Sequence, residues 1–168
     1  LMQLTSSQET DVLKRDGKMN TQLQNMLTGL QFPYFLLEQL LPALFKLVPR
    51  KDIAEAIYGV HLRRVVKYIF RLLCVLAKDH RGNSEYLFDH IKDFQTMLGY
   101  GFGVADTLTE NFTDERELMV KATDDLIEEM WSLAKQKRER RYIDFLCVLV
   151  SDSSSGQARP VKSNQDRV

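Results

Sequence analysis

Two stretches of this chain are written almost alike: KYIFRLLCVLA at residues 67–77 and RYIDFLCVLV at residues 141–150. Each opens on a base followed by Tyr and Ile, and each reaches Leu-Cys-Val-Leu, the second after dropping one residue. Tyr68 is thereby matched with Tyr142, and Leu73, Cys74 and Leu76 with Leu146, Cys147 and Leu149. A polar loop and an Asn at an expected helix start follow each copy (GNSEYL and SNQDRV). Two apolar helices with one inward face, 74 residues apart by the Tyr68 and Tyr142 positions, predict a stacked array in which each layer buries its face on the next. These eight residues are the expected core anchors. Chance likeness between two core helices of a plain bundle is the alternative.

The rest of the chain carries the same period. Apolar residues recur at helical spacing, and runs of strict alternation are scarce, so the expected fold is all-α, an armadillo-like solenoid of stacked antiparallel helices. Pro33 can sit in the first turn of a helix over 33–48, with Tyr34, Leu37, Leu41, Leu44 and Val48 on one stripe and a kink or split at Pro42. A short helix should follow Pro49, then a strong one over 62–78 led by Val65, Ile69, Leu72, Leu73 and Leu76. Asn83 or Ser84 is the expected N-cap of a helix carrying Leu87, Ile91, Phe94 and Leu98. The glycines of GYGFG, residues 99–103, should end it as a loose turn. Thr113 before DEREL and Thr123 before DDLIEEMWSLA look like helix starts with acids at the positive end, and Lys135, Lys137 and Arg138 suit a C-terminus. A last helix is expected over 140–150, before the polar SDSSSGQARP. Residues 1–20 read as a polar leader, disordered or nearly so, and 21–168 as one helical domain. The Leu at position 1 and the abrupt close after SNQDR read as cuts from a larger chain.

Composition narrows the chemistry. Of the 168 residues 44% are hydrophobic and 27% charged, the balance of a globular domain. Twenty-three Lys and Arg face twenty-three Asp and Glu, which leaves no excess of positive charge to displace phosphate counterions, so no nucleic-acid partner is expected. The most apolar stretch, residues 30–48, is broken by Gln31, Glu38, Gln39, Lys46 and two prolines, so direct membrane insertion of this segment is not expected either. Cys74 and Cys147 lie in apolar runs without CxxC or Cys/His spacing. Buried, unreactive thiols and no metal site are the expectation. His61, His80 and His90 form no catalytic pair, because a DH dipeptide places its two side chains on different sides of a helix. GYGFG lacks the strand before it and the lysine after it that a phosphate loop requires. No catalytic constellation is present, and an enzyme is not expected.

Charge is segregated although it sums to zero. Residues 106–129 hold nine acids and two bases, residues 63–81 six bases and one acid, and KQKRERR at 135–141 five bases around Glu139. Solvated helix faces are one reading; a basic concave surface receiving an acidic partner or a polyphosphate is the other. Arg81 is the candidate ligand residue. It precedes an expected helix N-terminus, where unpaired N–H groups favour an anion, and a salt bridge to Asp79 or to an acid of another layer is its structural alternative.

The order FRLLCVLAKDHRGNSEYLFDHIKDFQ, then DTLTENFTDERELM, then RRYIDFLCVLV and SNQD resembles the RIH domain shared by inositol trisphosphate receptors and ryanodine receptors. The likeness covers residues 65–168. It implies a non-enzymatic, cytosolic helical domain of a homotetrameric calcium-release channel of the endoplasmic or sarcoplasmic reticulum. The domain would carry ligand and regulatory signals toward a pore, with the other domains and subunits of the same channel as its partners. It implies no cofactor, and it raises an inositol polyphosphate as a ligand. In the receptor loop that reads D-Y-R-K-N, Tyr, Arg and Lys touch that ligand; here Arg81 matches, His80 stands for the Tyr and Gly82 for the Lys. A peptide-binding armadillo-like scaffold unrelated to channels is the competing function.

Overall fold

The computed structural model describes residues 20–57, 60–114, 118, 122–152 and 159–160. All of the expected leader but Asn20, which caps α1, therefore lies outside the described residues, as do most of DEREL and the closing SNQD. Ten helices follow in order among the described residues: α1 Thr21–Gly29, α2 Phe32–Tyr34, α3 Leu41–Leu47, α4 Arg50–Ala54, α5 Val60–Ala77, α6 Arg81–Asp89, α7 Ile91–Gln95, α8 Val104–Asp114, α9 Asp124–Lys137 and α10 Arg140–Val150. A two-rung antiparallel pairing of β1 Ser151–Asp152 with β2 Arg159–Pro160 closes the described part. The fold is all-α.

Pro42 neither splits nor ends its helix. α2 and α3 are joined by a π-helical stretch, Phe35–Leu40, in which the N–H of Leu41 reaches back five residues to the carbonyl of Leu36. In a regular α-helix the Pro42 ring would press on the carbonyl of Glu38 and leave it without a donor. The wider turn relieves that clash without breaking the chain. It also shifts the phase of the preceding residues. Leu36 joins Leu37 and Leu41 in the core, Leu44 and Val48 are half-buried, and Tyr34 turns outward.

α5 is the axis of the domain. Its buried side chains include Val66, Ile69, Phe70, Leu73 and Leu76, at i, i+3, i+4, i+7 and i+10, so Ile69, Leu73 and Leu76 keep the expected face while Val66 and Phe70 take the places of Val65 and Leu72. Val65 is exposed and Leu72 half-buried. α8 packs on α5 along one side and on α10 along the other, which is why the two echoing helices share an apolar face. Aromatic edges pin α8 to α10 and α6, and α5 to α7: Phe112 of α8 meets Phe145 of α10 at 5.5 Å between centroids and Phe88 of α6 at 5.8 Å, and Phe70 of α5 meets Phe94 of α7 at 5.8 Å.

The echo itself is uneven. Leu73, Leu76, Leu146 and Leu149 are all core residues, and so is Tyr142, 2% exposed. Tyr68 is only half-buried, with the Arg64 guanidinium over its ring at 5.6 Å. The dropped residue explains this. Tyr142 lies four residues before Leu146 and shares its face, whereas Tyr68 lies five before Leu73 and falls off it. Cys74 is buried, but Cys147 is exposed, contrary to the expectation of two buried thiols, because it lies on the side of α10 that α8 and α9 leave open.

Helix starts show the same mixture. Thr123 caps α9 as expected, its Oγ1 accepting from the Leu126 N–H at 3.3 Å. Thr113 does not start a helix; it belongs to α8 and its hydroxyl bonds back to the Thr109 carbonyl. The helix expected to carry Leu87, Ile91, Phe94 and Leu98 is divided at His90, with all four still buried. GYGFG is an interhelical turn in which Gly99, Gly101 and Gly103 all have positive φ.

Candidate functional site

The corner between α5 and α6 holds Arg81. Asp79 turns the chain through a left-handed conformation, φ 54°, and His80 rather than Asn83 caps α6, its Nδ1 accepting from the Asn83 N–H at 3.2 Å. Asn83 is needed elsewhere. Its Nδ2 donates to the Leu76 carbonyl at 2.7 Å and to Thr28 Oγ1 at 2.8 Å. Gln24 Nε2 donates to the carbonyls of Leu76 and Lys78 at 2.9 and 2.8 Å, and Ser84 Oγ to that of Ala77 at 3.1 Å. The last carbonyls of α5, which a helix leaves without partners, are thus satisfied by side chains of α1 and α6. This buried polar knot ties α1 to the Arg81 corner.

Arg81 is the first residue of α6 and is exposed. Its Nε donates to Glu85 Oε1 at 2.9 Å, with about two thirds of its side chain accessible. The carboxylate beside it is therefore Glu85, one turn on, in place of the expected Asp79. Next to this corner lies an open hollow of about 420 Å³ lined by Thr28, Pro33, Tyr34, His80, Gly82 and Tyr86. Burial, and then the hydrogen bond that its hydroxyl donates to Glu38 at 2.8 Å, push the Tyr86 phenol far above its ordinary range. The His90 ring packs on Tyr86 at 4.8 Å, with Glu38 and Asp93 at its two nitrogens.

Some of the segregated charges meet where helices pack together. Arg71 of α5 donates to both Glu110 oxygens of α8 at 2.8 and 3.0 Å, and the Cys74 thiol donates to Glu110 Oε2 at 2.9 Å. Arg141 of α10 joins Asp106 of α8 at 3.1 Å and Glu139 at 2.8 Å. One base of α5, Arg71, and one of α10, Arg141, thus pair with the α8 acids Glu110 and Asp106, which spacing along the chain could not reveal. Burial raises the Asp106 carboxyl above the ordinary range, against the pull of Arg141. Lys67, beside them, is pushed below its ordinary range by burial, then by Arg63 and Arg141. The side chains of the remaining anchors (Leu73, Leu76, Tyr142, Leu146, Leu149) are buried in the core, and the Leu76 carbonyl also accepts the hydrogen bonds of the polar knot.

Among the described residues no helix is long and apolar enough to cross a membrane. No curated protein matches the chain. The family model of the RIH domain matches residues 2–168, nearly the whole sequence and more than the 65–168 over which the resemblance is legible by eye. With its helical order, and with FRLLCVLAKDHRGN and RRYIDFLCVLV on two helices that share a packing partner, the chain belongs to the RIH domain family of ryanodine and inositol trisphosphate receptor calcium channels.

Proposed function

We propose that this chain is a cytosolic regulatory element of an intracellular calcium-release channel, a solenoid segment that transmits ligand signals toward a pore. The family match over residues 2–168 carries the reading. Its setting is then the cytosolic side of the endoplasmic or sarcoplasmic reticulum membrane, among the other domains and subunits of a homotetramer, with a mechanical and not a catalytic role. The polar knot supports the mechanical part. Gln24 and Asn83 bind α1 and α6 to the same end of α5, so a load on the Arg81 corner reaches α1 and the long α5 together.

Arg81 is the proposed point of anion contact, with an inositol polyphosphate as the ligand. Exposure and its position on the first turn of α6 support this; the Glu85 pairing, exposed and weak, would have to yield. Two experiments test the reading. The complete gene should encode a cluster of spanning helices downstream of this segment, and their absence would leave a scaffold. Calorimetric titration with inositol polyphosphates should give heat that Arg81→Gln removes. Binding that is absent, or unchanged by the substitution, makes Arg81 a packing contact between domains.

A further inference from the structure

A second cavity lies at the middle of α5, facing α8 and the start of α10. It encloses about 300 Å³, at the lower end of the range for small-molecule sites. Lys67, Arg71 and Arg141 supply cations to its wall, Asp106 and Glu110 carboxylates, and Phe102 an apolar side. Glu110 is held by Arg71, and Asp106 by Arg141. Lys67 has neither a hydrogen bond nor an ion pair among the described residues; Arg63 one turn before it adds a further cation, and Asp106 and Glu139 pull on the ammonium without touching it. The Lys67 ammonium is left without a contacting carboxylate and partly out of water, with burial and the cations Arg63 and Arg141 outweighing the more distant carboxylates. Such an arrangement costs stability unless an anion completes it.

We propose that this cavity binds a small organic oxyanion, a compact molecule with one phosphate or carboxylate group seated on Lys67 and its apolar part against Phe102. The direction of the Lys67 shift agrees with the geometry, since burial and neighbouring cations are what an arriving anion would relieve. Arg141 is positioned to share the anion without leaving Asp106, because a guanidinium has five N–H donors. The site is distinct from the Arg81 corner, which lies beyond the C-terminal end of α5.

The test uses the 168-residue chain, isotope-labelled and titrated at constant ionic strength with methyl phosphate and, separately, with acetate. Saturating amide shifts confined to Gly103, Thr107 and their neighbours are expected, and the tighter of the two probes names the head group. Lys67→Met should weaken binding about tenfold or more, as loss of a charge-assisted contact does, while Lys67→Arg keeps it. The apo melting temperature of Lys67→Met should equal or exceed that of the wild type, because a desolvated cation has been removed. Lys67→Gln serves if the Met variant does not fold. Shifts that spread over the surface or never saturate, equal affinity in the Lys67 variants, or a melting temperature that falls on substitution would each overturn the proposal.

Discussion

α5 and α10 carry nearly the same sequence and do different work. α5 is covered on several sides, by α4, α6 and α8, and its Leu-Cys-Val-Leu run is buried throughout. α10 rests on α8 and α9 and leaves Ile143 and Cys147 in the open, 43% of Ile143 being exposed. A helix covered on several sides along its C-terminal half and a helix covered on one stripe can therefore share a sequence, because apolarity fixes which face must be covered and not how many neighbours arrive. In a stacked array the number of neighbours is decided by the layers on either side.

The widest separation between the two helices should be chemical. A bulky maleimide should label Cys147 at a rate set by its surface, whereas Cys74 must wait for the α5–α8 contact to open. With core openings costing several kcal/mol, the rates should differ on the order of 10³-fold. Mass spectrometry of the labelled peptides reads the ratio, and comparable labelling would mean that α5 is not the enclosed helix described above.

Next comes the pair of tyrosines. Tyr142→Ala should cost about 3–5 kcal/mol, as large-to-small changes in a packed core do. Tyr68→Ala should cost about 1 kcal/mol or less, since Tyr68 is half-buried and held mainly by a stacked guanidinium. Denaturant melts of both variants decide it. Equal losses would restore the symmetric pair that the sequence echo suggests.

The glycine turn that brings α8 between the two helices gives a smaller, graded effect. At Gly101, φ 72°, a Cβ would lie 2.9 Å from Arg63 Nη2, while at Gly103, φ 91°, it would meet nothing within 4 Å. Gly101→Ala should cost about 1–2 kcal/mol for the left-handed backbone plus displacement of Arg63. Gly103→Ala should carry the backbone part alone. If the two melt alike, Arg63 moves aside freely.

How much of this was legible depends on which interaction decides each feature. The bounds of α10 and the Thr123 cap follow from local chemistry within one or two turns, and the sequence states them fully. Tyr68 was legible in principle, because counting five residues to Leu73 against four to Leu146 puts it off the face. The His80 cap was not, since Asn83 looks like the better cap until the carbonyls of α5, with Gln24 and Thr28, are seen to compete for it. The Lys67–Arg71–Arg141 cavity is assembled from three helices and the GYGFG turn. Its charges looked segregated only because pairing across helices has no signature in linear order. Arg81 is singled out in the sequence by its place before a helix start and by the family likeness of its loop, and its Glu85 partner stands at the i, i+4 spacing that such a pair requires.

The smallest effect expected is a proton linkage on α9, where the comparison turns on how far burial extends beyond the echoing helices. Burial raises the Glu129 carboxyl above its ordinary range, and the contact from Gln95 Nε2 at 3.5 Å is too long to restore it. A raised carboxylate means that the folded state holds the proton more tightly than the unfolded chain. Stability is therefore greatest below the unfolded value and falls as pH rises through the window up to the folded one. The group is largely open to solvent screening, so the loss should amount to a few tenths of a kcal/mol. Glu129→Gln keeps the shape, removes the titration and should recover that loss at neutral pH while leaving stability below the window unchanged. Melts of the two proteins from pH 4 to pH 7 should diverge as pH rises. Parallel curves would mean that the α9 surface is as well hydrated as the outer side of α10, and that enclosure in this domain stops at α8.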